Sequence, residues 1–257
     1  MGAMTSVLKR ELGGYFATPV AYVFIVIFLV LCGVFTFTEG LGSFFERGQA
    51  GLTGFFSFHP WLYLFLIPAL SMRLWAEERR SGTIELLMTL PIRPWAAVLG
   101  KYLAAWAFTA IALALTFPLW ITVNQLGEPD NRAIAASYFG SFLMAGGFLA
   151  IGSALSSLTK SQVIAFVLSV VGCFAVLLPR FLPGAVAFVA SWFDQDAGSP
   201  TDLPLWLTDT LNQFSVVTQF AGFQRGVIGA PAVIFFLTLI GGLLIINTCV
   251  IDSNKAS

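Results

Sequence analysis

The chain has 257 residues, 58% of hydrophobic types and 10% charged, with a formal net charge of zero and a mean hydropathy of +0.87. Soluble domains carry about a quarter charged residues, so most of this surface cannot face water, and 26 Phe and 7 Trp are more than a soluble core of this size needs. Balanced charge without runs of one sign sets aside nucleic acid as a partner and leaves the lipid bilayer.

The start reads Met1-Gly2-Ala3-Met4-Thr5-Ser6. It formally fits a myristoylation pattern, but Met4 is the expected natural start. The first apolar run is too long for a signal peptide and lacks a small-residue cleavage site, so it is expected to stay in the mature protein. Residues 4–17 are expected to form an amphipathic helix on the membrane surface. Met4, Leu8, Leu12, Tyr15 and Phe16 share one face, and Lys9, Arg10 and Gly13 lie opposite. The alternative is a polar lead-in to the first span.

Crossing about 30 Å of hydrocarbon takes about 20 helical residues. Charges punctuate the sequence, and the stretches between them predict an all-α, single-domain polytopic membrane protein. Its six transmembrane helices are expected at 20–38, 58–76, 99–124, 134–157, 162–182 and 230–251. No Asp, Glu, Lys or Arg is expected at membrane depth, which argues against an ion-coupled carrier. A charged hairpin occupies 77–93. Residues 183–225 form an outer loop, with an apolar piece, Phe181 to Phe193, too short to span, and an amphipathic stretch, Leu203 to Phe220, expected as short surface helices. Gly146, Ala150 and Ala154 make a small-residue stripe on the fourth span, a weak dimer signal.

Six spans put both termini on one side. Nine Lys/Arg, among them Lys9, Arg10, Arg79, Arg80 and Lys101, fall in the loops of that side, against Arg47, Arg132, Arg180 and Arg225 in the others. The positive-inside rule then makes both termini cytoplasmic, in the cell (inner) membrane.

Within the hairpin, Gly82 is expected to break the second helix, Thr83 to cap a short new one, Glu85 to sit in its first turn and Pro91 to stop it. That two-turn helix offers Ile84, Leu86, Leu87 and Leu90, and so short a helix needs something to dock on. No Gly-x-x-x-x-Gly-Lys-Ser/Thr loop occurs, and no Ser/His/Asp or paired-carboxylate set lies at membrane depth. Cys32, Cys173 and Cys249 sit in apolar runs, and His59, the single histidine, is expected at an interface beside Trp61 and Tyr63. No catalytic residue, metal or cofactor is therefore expected in this chain, which is not read as an enzyme.

Three segments together resemble the membrane subunits of type-2 ABC exporters, closest to the gliding-motility and nitrous-oxide-reductase-maturation permeases. They are Glu77-Glu78-Arg79-Arg80-Ser81-Gly82-Thr83-Ile84-Glu85-Leu86-Leu87 followed by Pro91; Arg10-Glu11-Leu12 with Tyr15-Phe16 and Pro19; and Phe220-x-x-Phe223-x-Arg225-Gly226-Val227-Ile228. The resemblance implies a permease subunit driven by a separate cytoplasmic ABC ATPase that holds the ATP and magnesium. It also implies a second permease copy or paralogue, with room for an auxiliary membrane subunit. By the same resemblance, Glu77 to Leu87 form a coupling helix contacting the ATPase, and the N-terminal helix carrying Lys9, Arg10, Glu11, Tyr15 and Phe16 supports that contact. The rival is a structural or anchoring membrane protein that recruits cytoplasmic partners without transport.

Overall fold

The computed structural model describes residues 2–39, 42, 44, 45, 48, 50–84, 93–186 and 205–253. Among them all regular structure is helical. Five helices are long and apolar enough to cross a membrane: Pro19–Phe37, Pro94–Leu126, Asn131–Ser156, Gln162–Arg180 and Ala230–Ser253.

In chain order, α1 (Gly2–Ala17) leads through Thr18 into α2 (Pro19–Phe37), whose first-turn proline needs no donor. Then come α3 (Thr53–Ser57), α4 (His59–Ser71) and α5 (Arg73–Ser81). Next, α6 (Pro94–Ala114) and α7 (Phe117–Leu126) are joined at Thr116, whose hydroxyl donates to Leu113 O at 2.6 Å. The central α8 (Asn131–Ser156) starts at Asp130, whose carboxylate accepts from the Arg132 and Ala133 amides. It is followed by α9 (Gln162–Leu177), α10 (Leu205–Phe214), α11 (Val216–Gln224) and α12 (Ala230–Ser253).

Helix α8 is the axis. It packs against α4, α6, α9, α11 and α12, because its glycines leave room for side chains from different neighbours. A Cβ on Gly140 would meet Phe223 at 2.5 Å, one on Gly146 would meet Trp106 at 2.8 Å, and one on Gly152 would overlap the Ser71 hydroxyl. Gly146, Ala150 and Ala154 thus serve packing inside the chain. Ala150 is fully buried.

By contrast, α2, α9 and α12 turn apolar faces outward, with Val23, Val30, Val163, Val171, Ile234 and Ile245 more than half exposed. No soluble monomer shows water so much continuous aliphatic surface. The protein is a multi-pass membrane protein.

Three expectations differ in detail from the structure. The second uncharged stretch contains no unbroken helix of spanning length: α4 has 13 residues and the ladder is interrupted at Met72. The cause is Ser156, whose hydroxyl donates to Met72 O at 2.9 Å and accepts from the Trp75 and Ala76 amides at 3.2 and 3.1 Å. The third span, expected from 99, begins at Pro94, and Lys101, counted among the loop charges, is only 3% exposed within it. A charge is therefore enclosed by the bundle, contrary to the expected charge-free helices. Third, α11 buries one face, Val216, Phe220 and Phe223, with Phe223 against Gly140. After a 3-10 turn, Leu178–Arg180, helical backbone is described over 182–186, and the rest of the expected Phe181 to Phe193 piece lies outside the described residues.

His59 is fully buried. Its Nδ1 lies 2.7 Å from Ser141 Oγ, which also bonds the Tyr63 hydroxyl at 2.8 Å, and Phe55 and Phe56 stand edge-on to the ring at 4.5 and 5.1 Å. This ties α4 to α8 at one end of the bundle. At the opposite end Asn247 of α12 donates to Ser153 of α8, which also accepts from Trp75 of α5.

Candidate functional site

Everything distinctive about the charged end converges on Lys101. Gly100 lets α1 lie directly on α6: a Cβ there would come within 2.8 Å of the Val7 side chain and 3.1 Å of Met4 O. The apolar face expected of α1 therefore packs on protein. Val7, which was not among the residues expected on that face, is buried, Tyr15 stacks on Phe108 at 5.2 Å, and Phe16 meets the same ring edge-on at 5.7 Å. Lys9 and Arg10 are exposed.

That docking carries Glu11 inward. Lys101 Nζ lies 3.2 Å from Glu11 Oε1 and 2.7 Å from Glu78 Oε1, and 5.4 Å from the centre of the Trp75 ring. Three separate pieces of chain, α1, α5 and α6, are thus held by one ammonium. Burial pushes the Glu11 carboxyl up, but Lys101 and then Arg10, which donates to it at 2.8 Å, outweigh burial and hold it below the usual carboxylate range. The Tyr15 phenol is pushed up by burial and by Glu11, so it stays a neutral donor. Two carboxylates around one cation leave the cluster one negative charge in excess, and Arg10 balances it.

The hairpin base is fixed from the other side by the serine-rich end of α8. Beside the Ser156 insertion, Arg79 Nη1 donates to Ser157 O at 2.6 Å, and Ser153 Oγ accepts from Trp75 Nε1 at 3.3 Å and Asn247 Nδ2 at 2.8 Å. Helix α5 ends at Gly82 with φ +73°, a left-handed cap that glycine adopts without a Cβ penalty. Ser81 Oγ donates to Glu77 O at 2.9 Å and lies 2.9 Å from Thr83 Oγ1.

The expected hairpin residues therefore divide. Glu78 and Arg79 face inward and anchor the base. Glu77 is outward, 3.5 Å from Arg73 one turn earlier. Ser81, Gly82 and Thr83 at the end of α5 are exposed, and Ile84 packs against the core. Glu85, Leu86 and Leu87 lie outside the described residues. Within this chain one oxygen of the Glu78 carboxylate is taken up by Lys101.

Lys101, Trp75, Ser153, Ser156 and Asn247 were not anticipated. The sequence did hold a signal for three of them. Gly100 directly before Lys101 is the spacing of a close helix approach beside a charge, and serines at 153 and 156 recur at one-turn spacing on an otherwise apolar helix.

Residues 21–220 match the family described as ABC-2 family transporter protein. A segment of 133 residues, 49% of the chain, is 32% identical to heme exporter protein B of Rhodobacter capsulatus, and the match spans about half, 56%, of that relative's length.

Proposed function

This chain belongs to the ABC-2 transporter family, and from that premise we propose that it is the permease subunit of an ATP-driven exporter, paired with a second copy or a paralogue. ABC-2 permeases generally work with an ABC ATPase, so nucleotide and magnesium belong to that partner. The chain itself, lacking any phosphate-cradling loop, is not an enzyme. On this reading α4 and α5 together make the sixth crossing, both termini are cytoplasmic in the inner membrane, and the exposed tip at Ser81-Gly82-Thr83 is where the ATPase pushes. The observation that carries the reading is the Lys101 cluster. An exposed turn whose base is ion-paired to α6 and, through Lys101, to α1, and hydrogen-bonded to α8, can pass displacement to several helices at once.

Within the family we place the chain with the gliding-motility and nitrous-oxide-reductase-maturation permeases, on the three segments quoted above. A second reading, favoured by the likeness to heme exporter protein B, makes haem the cargo.

The test is co-purification from native membranes. Tagged wild-type chain should bring down an ATP-hydrolysing subunit. Gly82→Pro, which cannot adopt positive φ, and Thr83→Trp should lose it while extraction yield is unchanged. Recovery of no such subunit, or undiminished recovery with both variants, would favour an anchoring protein instead. ATP-dependent loss of haem from loaded vesicles, measured by its Soret absorbance, decides the second reading.

A further inference from the structure

A cleft between α2 and α4 forms an apolar cavity of about 220 Å³, lined among others by Val23, Phe24, Ile27, Leu66 and Ala69 and ending at Arg73. It runs into a polar chamber of about 160 Å³ holding Glu11, Glu77 and Lys101. The two share Tyr15, Thr18 and Arg73. One side is therefore a slot for hydrocarbon, and the other is a charged recess.

The charges define what can enter. Lys101 is committed to Glu11 and Glu78. Arg73 and Glu77 remain, 41% and 52% exposed and 3.5 Å apart, and such a solvated pair is worth at most about 1 kcal/mol, so it opens readily. A cation and an anion one helical turn apart complement a head group that carries both signs, and the Glu77 carboxylate, an acceptor, takes hydrogen bonds from a primary ammonium but none from a quaternary one. A purely anionic head would gain Arg73 but lie against Glu77 and Glu11, where like-charge contact is unfavourable. A soluble zwitterion would leave the apolar slot unused. The slot opens sideways between Val20, Val23 and Ile27, each at least 42% exposed on the face of a helix long enough to span the bilayer.

We infer that this composite cavity binds one bilayer phospholipid with a phosphoethanolamine head, its acyl chain along α2 and α4, its phosphate on Arg73 and its ammonium on Glu77. The occupant comes from the leaflet on the N-terminal side. Its head then rests on the first turns of α5, one residue beyond the Ser156 insertion. The site needs only the membrane setting and stands apart from the ATPase reading.

The experiment uses the full chain in phosphatidylcholine liposomes with a trace of phosphatidylethanolamine carrying an acyl diazirine, followed by irradiation and peptide mapping. Label should concentrate on 20–27 and 66–70 over the exposed faces of α9 and α12. Unlabelled phosphatidylethanolamine should compete at least fivefold better than phosphatidylglycerol. Arg73→Ala and Ala69→Trp should each cut labelling at least fivefold; the first changes only an exposed side chain, so the test survives if the second does not fold. Even labelling of all lipid-facing helices, indifference to Arg73→Ala, equal competition by phosphatidylglycerol, or equal competition by soluble phosphoethanolamine would overturn the assignment. So would an unlabelled cleft in which Val23→Cys chains cross-link to one another, because a second copy would then cover it.

Discussion

The Ser156 hydroxyl donates to the Met72 carbonyl oxygen at 2.9 Å, occupying the acceptor that the Ala76 amide would use in an unbroken helix. A side chain of α8 thus completes the backbone of its neighbour. Replacing it with alanine removes the bridge but lets Ala76 N–H return to Met72 O. For Ser156→Ala we expect a stability change of only about 1 kcal/mol, as for a single exchanged hydrogen bond. Backbone amide exchange at 75 and 76 should slow, because the closed ladder is more regular. Hydrogen-exchange mass spectrometry on the reconstituted chain checks this, and unchanged or faster exchange would contradict it.

Removing Lys101 is a different matter. Lys101→Met leaves Glu11 and Glu78 half-buried and facing each other, a loss of about 3–5 kcal/mol for breaking a buried pair. Adding Glu11→Gln and Glu78→Gln should restore much of it, because the carboxylates then need no cation. Thermal unfolding in detergent of the single and triple variants measures both, and equal melting temperatures would refute the cluster. Reversing Glu78 to lysine should likewise destabilise, since it sets two cations together.

Acid should loosen α1 before it unfolds the bundle. The Glu11 carboxyl is held below its ordinary value in the folded state. Its contribution is therefore fully present above the unfolded value, about 4.3, and is lost as pH falls through the lower folded one. Between pH 7 and 5 docking of α1 should be constant, and below about pH 4 it should weaken. Fluorescence of a probe on exposed Lys9 follows the release, and Glu11→Gln should abolish the acid step. A step near pH 6 would point to another group.

For the transmembrane orientation, a cysteine at exposed Asp209, in a chain with Cys32, Cys173 and Cys249 replaced, should react with an impermeant thiol reagent in intact cells. Labelling only after permeabilisation would invert the proposed topology.

Composition made the membrane setting plain, and the positions of Pro19, Pro94 and Asp130 set helix starts that hydropathy alone blurs. The left-handed stop at Gly82 was readable because so few residues tolerate positive φ. Lys101 was harder. One-dimensional charge counting assigns a lysine next to a loop to water, and only the approach of α1 over Gly100 turns it inward. Ser156 was harder still: a serine near a helix end has many ordinary uses, and its partner amides lie 80 and 81 positions away in the chain. The sense of Glu78 depends on both, so the sequence could locate the hairpin but not say which of its acids faces out.

The His59 ties give the bundle a mechanical layout. At that end α4 is pinned to Ser141 and boxed in by aromatic rings, whereas at Met72 it holds to α8 through one hydroxyl. At 1.5 Å per residue, Met72 lies about 20 Å from that fulcrum, so a tilt of α4 by about 5° would move Met72 by about 2 Å. In reverse, a push of a few ångströms at Met72 reaches the aromatic box as a rotation too small to break its bonds. The long arm ends at Met72, so the gearing reduces large strokes there to small turns deep in the membrane.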